Sequence, residues 1–119
     1  MLEDRDLKEF HGAILTGVTV GIGSLILLFE NGIHILVQCS FECNKRNIIQ
    51  QGHGENINTC NCLFSILNYR VHDVTFSDDF ILTLQFENGE ILRIIPERNG
   101  LESYVVTTKY GICPILLTY

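Results

Sequence analysis

The sequence has no long apolar run, and this absence excludes one class of protein. No stretch approaches the roughly 18 consecutive apolar residues expected of a membrane-spanning helix. The first six residues, Met1 to Asp6, carry charges where a secretion signal would need an apolar core. We therefore expect a cytoplasmic protein that has no membrane partner.

Basic residues are also scarce. The chain has 8 Lys and Arg against 14 Asp and Glu, a net charge of −6 and a pI near 5.0. A nucleic-acid backbone would be repelled unless the basic residues were clustered, and only Lys45 and Arg46 are adjacent. We predict no nucleic-acid partner, whereas a basic protein would be attracted.

The sequence also lacks the paired cysteine knuckles that usually hold structural zinc. Its five cysteines are an odd number in a chain without an export signal, which favours reduced thiols. The potential soft ligands within residues 39–62 are Cys39, Cys43, His53, Cys60 and Cys62. The Cys60-x-Cys62 spacing is too short for an ordinary knuckle, so we predict no metal and no cofactor.

No signature of catalysis is present. The candidate thiol nucleophiles are Cys43 and Cys60, and the candidate bases are His53 and His72. A chain with five Cys and four His offers such pairs by chance, and no catalytic cysteine signature surrounds them. The glycine pairs within 21–23 and 52–54 are too short for a phosphate-binding loop and lack its lysine. We predict that the protein is not an enzyme.

What the sequence does contain is a duplicated tetrapeptide, Phe-Glu-Asn-Gly. The copies begin at Phe29 and Phe86, 57 residues apart, and each lies between two apolar runs. Asn-Gly between such runs is the strongest local sign of a two-residue β-hairpin, because Asn and Gly tolerate the positive φ of a type I′ turn. The repeat therefore predicts a hairpin at each copy.

A two-residue turn fixes which residues face each other. It predicts Glu30 opposite Ile33, and Glu87 opposite Glu90. In this register both faces of the first hairpin are largely apolar. We therefore expect the hairpin to be covered on both sides, by the helix, the second sheet or another subunit.

The remaining pattern predicts a β-rich α+β fold. Residues 40–59 are polar and rich in turn formers, so the longest loop is expected there. An apolar stripe at helical spacing predicts one short helix over residues 60–68. Its members are Cys60, Leu63, Phe64 and Leu67, with Asn58 or Thr59 as the expected cap. Around this helix we predict two repeated antiparallel β-meanders, over about 13–39 and 69–95, as a half-barrel or two layers within a single domain, 1–119.

Acidic residues accumulate around the second hairpin. Like charges on an ordered hairpin destabilise it by about 0.2–1 kcal/mol per facing pair, so their accumulation indicates display to a cationic partner. The alternative is a solubilising surface that protects a sheet edge. The predicted partner-binding residues are Asp73, Asp78, Asp79, Glu87 and Glu90, with Glu42 and Glu55 from the loop as a second group.

The doubled pattern of strand, Phe-x-Asn-Gly and strand, with a short helix before the second copy, resembles a family of small bacterial β-rich domains of unassigned activity. These are similar in size and acidic charge to immunity proteins of contact-dependent and other polymorphic toxin systems. The likeness covers residues 28–32, 63–69 and 84–94. The resemblance implies an inhibitor that binds one basic toxin domain, such as a nuclease, and masks its active site or substrate channel. It assigns no functional residue.

Two other functions stay open from the residues alone. In the first, the two repeats enclose a pocket for a small ligand or a metal, with the Cys and His loop at its mouth. In the second, the apolar hairpin forms a structural homodimer. A zinc assay and the mass in solution would separate these from a toxin inhibitor.

Overall fold

The computed structural model describes residues 2–118, which form ten β-strands, one α-helix and one 3₁₀ segment. In chain order the elements are α1 (Asp4–Lys8), β1 (Leu15–Val20), β2 (Leu25–Phe29), β3 (His34–Val37), β4 (Ser40–Lys45), β5 (Ile48–His53), the 3₁₀ segment (Ile57–Ile66), β6 (Val71–Phe76), β7 (Leu82–Phe86), β8 (Ile91–Ile95), β9 (Glu102–Thr108) and β10 (Gly111–Leu116). Neither helical element of this range has the length and apolar character needed to cross a membrane.

The strands form two antiparallel sheets of five strands each, which confirms the predicted β-rich α+β class. The first sheet has the strand order β1-β2-β3-β9-β10, and the second has the order β5-β4-β8-β7-β6. Both predicted meanders are present, as β1-β2-β3 and β6-β7-β8. The other two strands of each sheet come from the opposite half of the chain, so the two halves are interleaved.

The order of elements repeats from the first half to the second. A helical segment is followed by three strands of one sheet and then by two strands of the other. The halves meet in an antiparallel bridge between Ile14 and Arg70. Two equivalent hydrogen bonds flank this bridge, from the Gly12 N–H to the Val71 carbonyl (2.8 Å) and from the Asn68 N–H to the Leu15 carbonyl (2.7 Å). The structural repeat therefore extends beyond the two meanders to the helical segment before each and the strand pair after it.

Both Phe-Glu-Asn-Gly hairpins contain a three-residue loop instead of the expected two-residue turn. In the first hairpin Leu27 pairs with Ile35, which leaves residues 30–32 as the loop. Gly32 has a φ of 91°, a left-handed conformation that glycine adopts without steric penalty. The second hairpin has the equivalent loop over 87–89.

This loop shifts the register by one residue from the predicted one. The expected facing pairs, Glu30 with Ile33 and Glu87 with Glu90, are therefore wrong. Phe86 stands across from Glu90 instead, and the Phe86 N–H donates to the Glu90 carbonyl at 2.9 Å. Because strand side chains alternate, a one-residue slip moves every residue of one strand to the other face.

The observed register separates the two faces of the first hairpin. Its buried side chains are Leu25, Leu27, Phe29, Ile33, Ile35 and Val37. Its outward side chains are Ile26, Leu28, His34 and Leu36, which are half-buried or exposed. On this outward face Leu28 is 39% exposed, so within residues 2–118 the face is not fully covered. Another subunit is the expected cover that would complete the burial of this face.

The long loop predicted over residues 40–59 is mostly a hairpin. β4 and β5 pair from Ser40 opposite His53 to Lys45 opposite Ile48. The two-residue turn between them consists of Arg46 and Asn47, whose φ values are 54° and 67°. Positive φ at both positions is the mark of a type I′ turn. The loop prediction was wrong because most outward residues of these strands are polar and the turn has no glycine.

The helix predicted over residues 60–68 is a 3₁₀ segment that begins earlier, at Ile57. Its N-cap is Asn56, not Asn58 or Thr59, and the Asn56 side chain accepts a hydrogen bond from the Asn58 N–H at 3.1 Å. Its buried residues are Cys60, Leu63 and Ile66. This spacing of three matches the three residues per turn of a 3₁₀ helix. Phe64, which α-helical spacing placed in the core, is 54% exposed.

The core lies between the inner faces of the two sheets. Leu25 and Leu27 of the first sheet approach Phe41 and Leu92 of the second, and Leu63 of the 3₁₀ segment packs beside them. A core of this kind makes both sheets rigid. The backbone positions from which the edge and outward side chains project are therefore fixed.

Candidate functional site

Three of the seven predicted partner-binding residues lie along one edge of the second sheet. Asp73 belongs to β6, the outermost strand, and Asp78 and Asp79 belong to the turn between β6 and β7. All three side chains are exposed. None of them forms an ion pair with another residue of the range 2–118. We call Asp73, Asp78 and Asp79 the acidic edge.

Glu87 is held by the backbone of Arg70, just before β6. Its Oε1 accepts a hydrogen bond from the Arg70 N–H at 3.2 Å, and its N–H donates to the Arg70 carbonyl at 2.9 Å. Glu30 makes the same two contacts with Ile14 at the equivalent turn, at 3.3 and 3.0 Å. Each turn glutamate therefore fixes the start of the adjoining strand, beside the bridge between the halves.

Glu90 is buried, with only 5% of its surface exposed. Its carboxylate accepts hydrogen bonds from Ser65 Oγ at 2.6 Å and from Asn88 Nδ2 at 3.2 Å, and Lys45 Nζ lies 3.6 Å away. The equivalent residue of the first hairpin is the buried Ile33. The expected surface pair of Glu87 and Glu90 is thus corrected, because the register shift turns Glu90 towards the interior.

The second predicted group, Glu42 and Glu55, is divided between two places. Glu42 lies on the outward face of the second sheet, where its Oε1 is 3.3 Å from Arg93 Nη1. Glu55 follows β5, and its Oε1 is 3.8 Å from His53 Nδ1. The other ring nitrogen of His53 contacts Glu97 Oε1 at 2.6 Å. The structure therefore does not bring Glu42 and Glu55 to the acidic edge.

Two of the five cysteines meet beside Glu90. Cys43 is on the inner face of β4, Cys62 is on the 3₁₀ segment, and their sulfur atoms are 2.6 Å apart. The hydrogen bond with Cys62, together with burial, raises the pKa of Cys43. The same hydrogen bond lowers the pKa of the Cys62 thiol. Sequence reasoning missed this pair because it treated residues 40–59 as a loop.

Cys62 also forms part of the wall of a polar cleft of about 650 Å³ between β5 and the 3₁₀ segment. The cleft is lined by Lys45, Gln50, Gln51, Asn58, Thr59, Asn61, Cys62 and Ser65. Lys45 is the one charged side chain among these lining residues. Amides and hydroxyls make up most of the rest, so the cleft is hydrophilic and open.

Apart from the contact between Cys43 and Cys62, the residues considered for zinc or thiol catalysis do not form a metal-binding or catalytic group. Within residues 2–118 no three His, Cys, Asp or Glu side chains converge so as to hold a metal ion. Burial raises the pKa of Cys39 to about 12. His53 contacts Glu97, and His72 is exposed on β6. In the described part of the chain neither histidine is hydrogen-bonded to a thiol.

The outward faces of the two sheets differ in chemistry. The second sheet presents polar and charged side chains, among them Asp73, Thr83, Arg93, Glu42 and Gln51. Among the paired outward positions of the first sheet the one carboxylate is Glu102, which stands opposite Leu116 at the end of β9. Five of these positions are Ile26, Leu28, Leu36, Val105 and Ile112, which we call the apolar face.

Comparison with known proteins identified no relative. A scan of protein families, a search of curated proteins and a search of solved structures each found no match. The candidate surfaces are therefore defined by geometry and charge alone. They are the acidic edge, the thiol pair at the polar cleft, and the apolar face.

Proposed function

We propose that the protein is an immunity protein, which binds a basic toxin domain of the nuclease type and masks its active site without catalysing a reaction. The observation that carries this proposal is the acidic edge. Its three carboxylates, Asp73, Asp78 and Asp79, are exposed and have no cationic partner within residues 2–118. A cationic partner would supply the missing charges.

The charge of the whole chain supports a basic partner. A net charge of −6 attracts a basic domain before contact, and such steering raises association rates. β6 is also the outermost strand of its sheet, so part of its backbone is available for hydrogen bonds to an added strand. Backbone pairing and carboxylate contacts would then act along the same edge.

The thiols support the proposed place of action. All five cysteines are free, and free thiols persist in reducing compartments. We place the inhibitor in the cytoplasm, where an incoming nuclease would meet its substrate. A complex formed there would keep the basic active site of the toxin away from nucleic acid.

The test uses a basic toxin domain, sought as the product of the gene beside that of this protein. Binding is measured by calorimetry at low and high salt for the wild type and for the triple variant Asp73→Asn, Asp78→Asn, Asp79→Asn. We expect the variant to bind at least about 10-fold more weakly at low salt, because exposed charges mainly set the association rate. Its binding should also depend less on salt.

The matched control removes three carboxylates elsewhere, by Glu3→Gln, Asp4→Asn and Glu102→Gln. These side chains are also exposed, so the net charge changes equally in both variants. The control should bind nearly as tightly as the wild type. If both variants bound the toxin equally weakly, net charge alone would account for binding. If the acidic-edge variant bound as tightly as the wild type, the assignment of the acidic edge as the binding surface would be refuted. Failure of the wild type to inhibit the toxin would refute the function.

The apolar face favours a second candidate function, a structural homodimer. Leu28 is 39% exposed and Ile112 is 73% exposed, and the one carboxylate among the paired outward positions of this sheet, Glu102, lies at the end of β9. Exposed apolar patches of this kind mark interaction sites. Two copies of a chain of charge −6 repel least where the surface between them carries no charge. A second copy, related by a two-fold axis, is therefore the occupant that fits this face.

The mass in solution tests the homodimer. We expect a dimer by light scattering, and we expect Leu36→Glu at the centre of the apolar face to yield monomers. The control is Thr83→Glu, which adds the same charge to an outward position of the second sheet. A monomeric wild type, or a dimer that persists in the Leu36→Glu variant, would exclude this arrangement.

A further inference from the structure

Two thiols from separate elements meet where the 3₁₀ segment packs on the second sheet. Cys43 is 5% exposed on β4, and Cys62 is partly exposed at the wall of the polar cleft. Their sulfur atoms are in hydrogen-bond contact at 2.6 Å. Neither residue belongs to the acidic edge, so the proposed inhibitor function does not use them.

The two thiols differ in acidity and access. The hydrogen bond with Cys62, followed by burial, raises the pKa of Cys43. The same bond lowers the pKa of Cys62, and Lys45 lines the cleft that Cys62 faces. The thiolate is the reactive form of cysteine, and oxidation-sensitive cysteines are accessible thiols beside a second, resolving thiol. Cys62 is the accessible thiol here, and Cys43 is the second thiol beside it.

We infer that Cys62 is a site of oxidation by hydrogen peroxide and that Cys43 resolves the product into a Cys43–Cys62 disulfide. First, the Cys62 thiolate attacks one peroxide oxygen: an S–O bond forms, the O–O bond breaks, and the departing hydroxide takes up a proton to become water. Next, the Cys43 sulfur attacks the sulfenic sulfur: the S–S bond forms, the S–O bond breaks, and the oxygen leaves as water with the Cys43 proton. Two electrons pass from the thiols to the peroxide.

The disulfide has a structural consequence because its two sulfurs come from different halves of the repeat. β4 belongs to the first half and the 3₁₀ segment to the second. The bond therefore fixes one wall of the polar cleft to the sheet behind it. It also closes the chain over residues 43–62, which restricts the unfolded state and stabilises the oxidised protein.

The other three cysteines serve as internal controls. Cys39 is buried, and burial raises its pKa to about 12. Cys60 is buried, and burial raises its pKa as well. Cys113 is partly buried on β10, in the other sheet. We expect all three to react more slowly than Cys62.

The experiment treats the reduced full-length protein with an equimolar amount of hydrogen peroxide, followed by alkylation and peptide mapping. We expect the Cys43–Cys62 linkage to appear before Cys39, Cys60 or Cys113 is modified. The midpoint of thermal unfolding should rise by about 5 °C, and a dithiol reductant should reverse the rise. A Cys60–Cys62 linkage, earlier oxidation of Cys113, or five unchanged thiols would each overturn the inference.

Single variants separate the two roles. Cys62→Ser should abolish the disulfide, whereas Cys43→Ser should stop the reaction at a sulfenic acid that dimedone labels on Cys62. Because Cys43 is buried, Cys43→Ala provides a second variant without an unpaired hydroxyl. Cys113→Ser should react like the wild type. A disulfide that forms in the Cys62→Ser variant, or no dimedone label on Cys62 in either Cys43 variant, would refute the assigned order.

Discussion

Asp6 is a buried carboxylate that fastens α1 to the rest of the chain. Its Oδ1 accepts a hydrogen bond from the Thr108 hydroxyl at 2.7 Å, and its Oδ2 accepts one from the Glu3 N–H at 3.0 Å. Burial alone would raise the pKa of Asp6, but these hydrogen bonds and the nearby positive charges hold it below its ordinary value. The ionised side chain is therefore favoured in the folded state.

We predict that Asp6→Asn lowers the free energy of unfolding by about 1 kcal/mol at neutral pH. A carboxylate whose pKa is depressed by folding stabilises the protein fully above its unfolded pKa of about 3.9. That contribution is lost as the pH falls through the folded-state value. Urea unfolding at a series of pH values between 7 and 3 should show the difference from the wild type shrinking in acid. The control is Asp4→Asn in the same helix, and a difference that grew in acid would contradict the prediction.

The contribution of a buried carboxylate to stability can be tested at Glu90. Its carboxylate accepts hydrogen bonds from Ser65 and Asn88. We predict that Glu90→Ala destabilises the protein by about 2–3 kcal/mol, because both donors lose a buried acceptor. Glu90→Ile, which introduces the side chain of the equivalent position Ile33, should destabilise it less. Chemical denaturation measures both, and a fully stable Glu90→Ala variant would show that the buried acceptor is dispensable.

The acidic candidates show how far side-chain roles could be predicted from the sequence. Exposure of Asp73, Asp78 and Asp79 followed from their place at a strand and turn rich in acids. The positions of Glu87 and Glu90 did not follow, because they depend on the hairpin register. The contact between Cys43 and Cys62 could not be predicted from local sequence patterns either, because it depends on which strand lies under the 3₁₀ segment.

At the scale of elements, turn chemistry determined what could be predicted. Asn-Gly correctly indicated both chain reversals, but the same dipeptide fits a two-residue turn and a three-residue loop with glycine in last place. Arg46 and Asn47 adopt positive φ without glycine, so the β4–β5 hairpin gave no local signal. The 3₁₀ segment was mistaken for an α-helix because spacings of three and of 3.6 coincide over one turn.

A glycine at the end of β5 determines how closely two elements approach. A Cβ placed on Gly54 would collide with the backbone carbonyl of Val37, and backbone atoms cannot rotate away. We predict that Gly54→Ala destabilises the protein by about 2–3 kcal/mol, measured by thermal or urea unfolding. Gly21→Ala is the control, because a Cβ there makes an ordinary contact at 3.7 Å. Equal stability of the two variants would show that the β5 end shifts freely.

For the whole molecule, the decisive feature is the exchange of strands between the two halves. β3 pairs with β9 of the second half, and β8 pairs with β4 of the first half. Pairing between strands so far apart in the sequence cannot be predicted from a local pattern. The sequence of each strand indicates only which side chains face inward and which face outward. The two meanders could therefore be predicted, whereas their completion by strands from the opposite half could not.

This exchange predicts how the two halves behave when the chain is cut. In the fragment 1–54, β3 loses its neighbour β9 and β4 loses its neighbour β8. The inward residues Ile35 and Phe41 then face opposing sheets that lack three and two of their five strands, respectively. We expect fragments 1–54 and 55–119 each to lack the far-ultraviolet circular dichroism of the intact protein. An equimolar mixture should recover it and elute as a 1:1 complex, because every strand then regains its partner.

A variant at the bridge between the halves tests whether reassembly of the fragments depends on their backbone pairing. Ile14 and Arg70 lie on different fragments and pair through their backbones. A proline at Leu15 removes the N–H that donates to the Tyr69 carbonyl of the other fragment at 3.2 Å. It should weaken reassembly more than a proline at the exposed Thr118, outside the strands. A fragment that folds alone as a monomer would show that one meander with its own strand pair forms a complete core. The interleaved halves would then be independent units that merely touch.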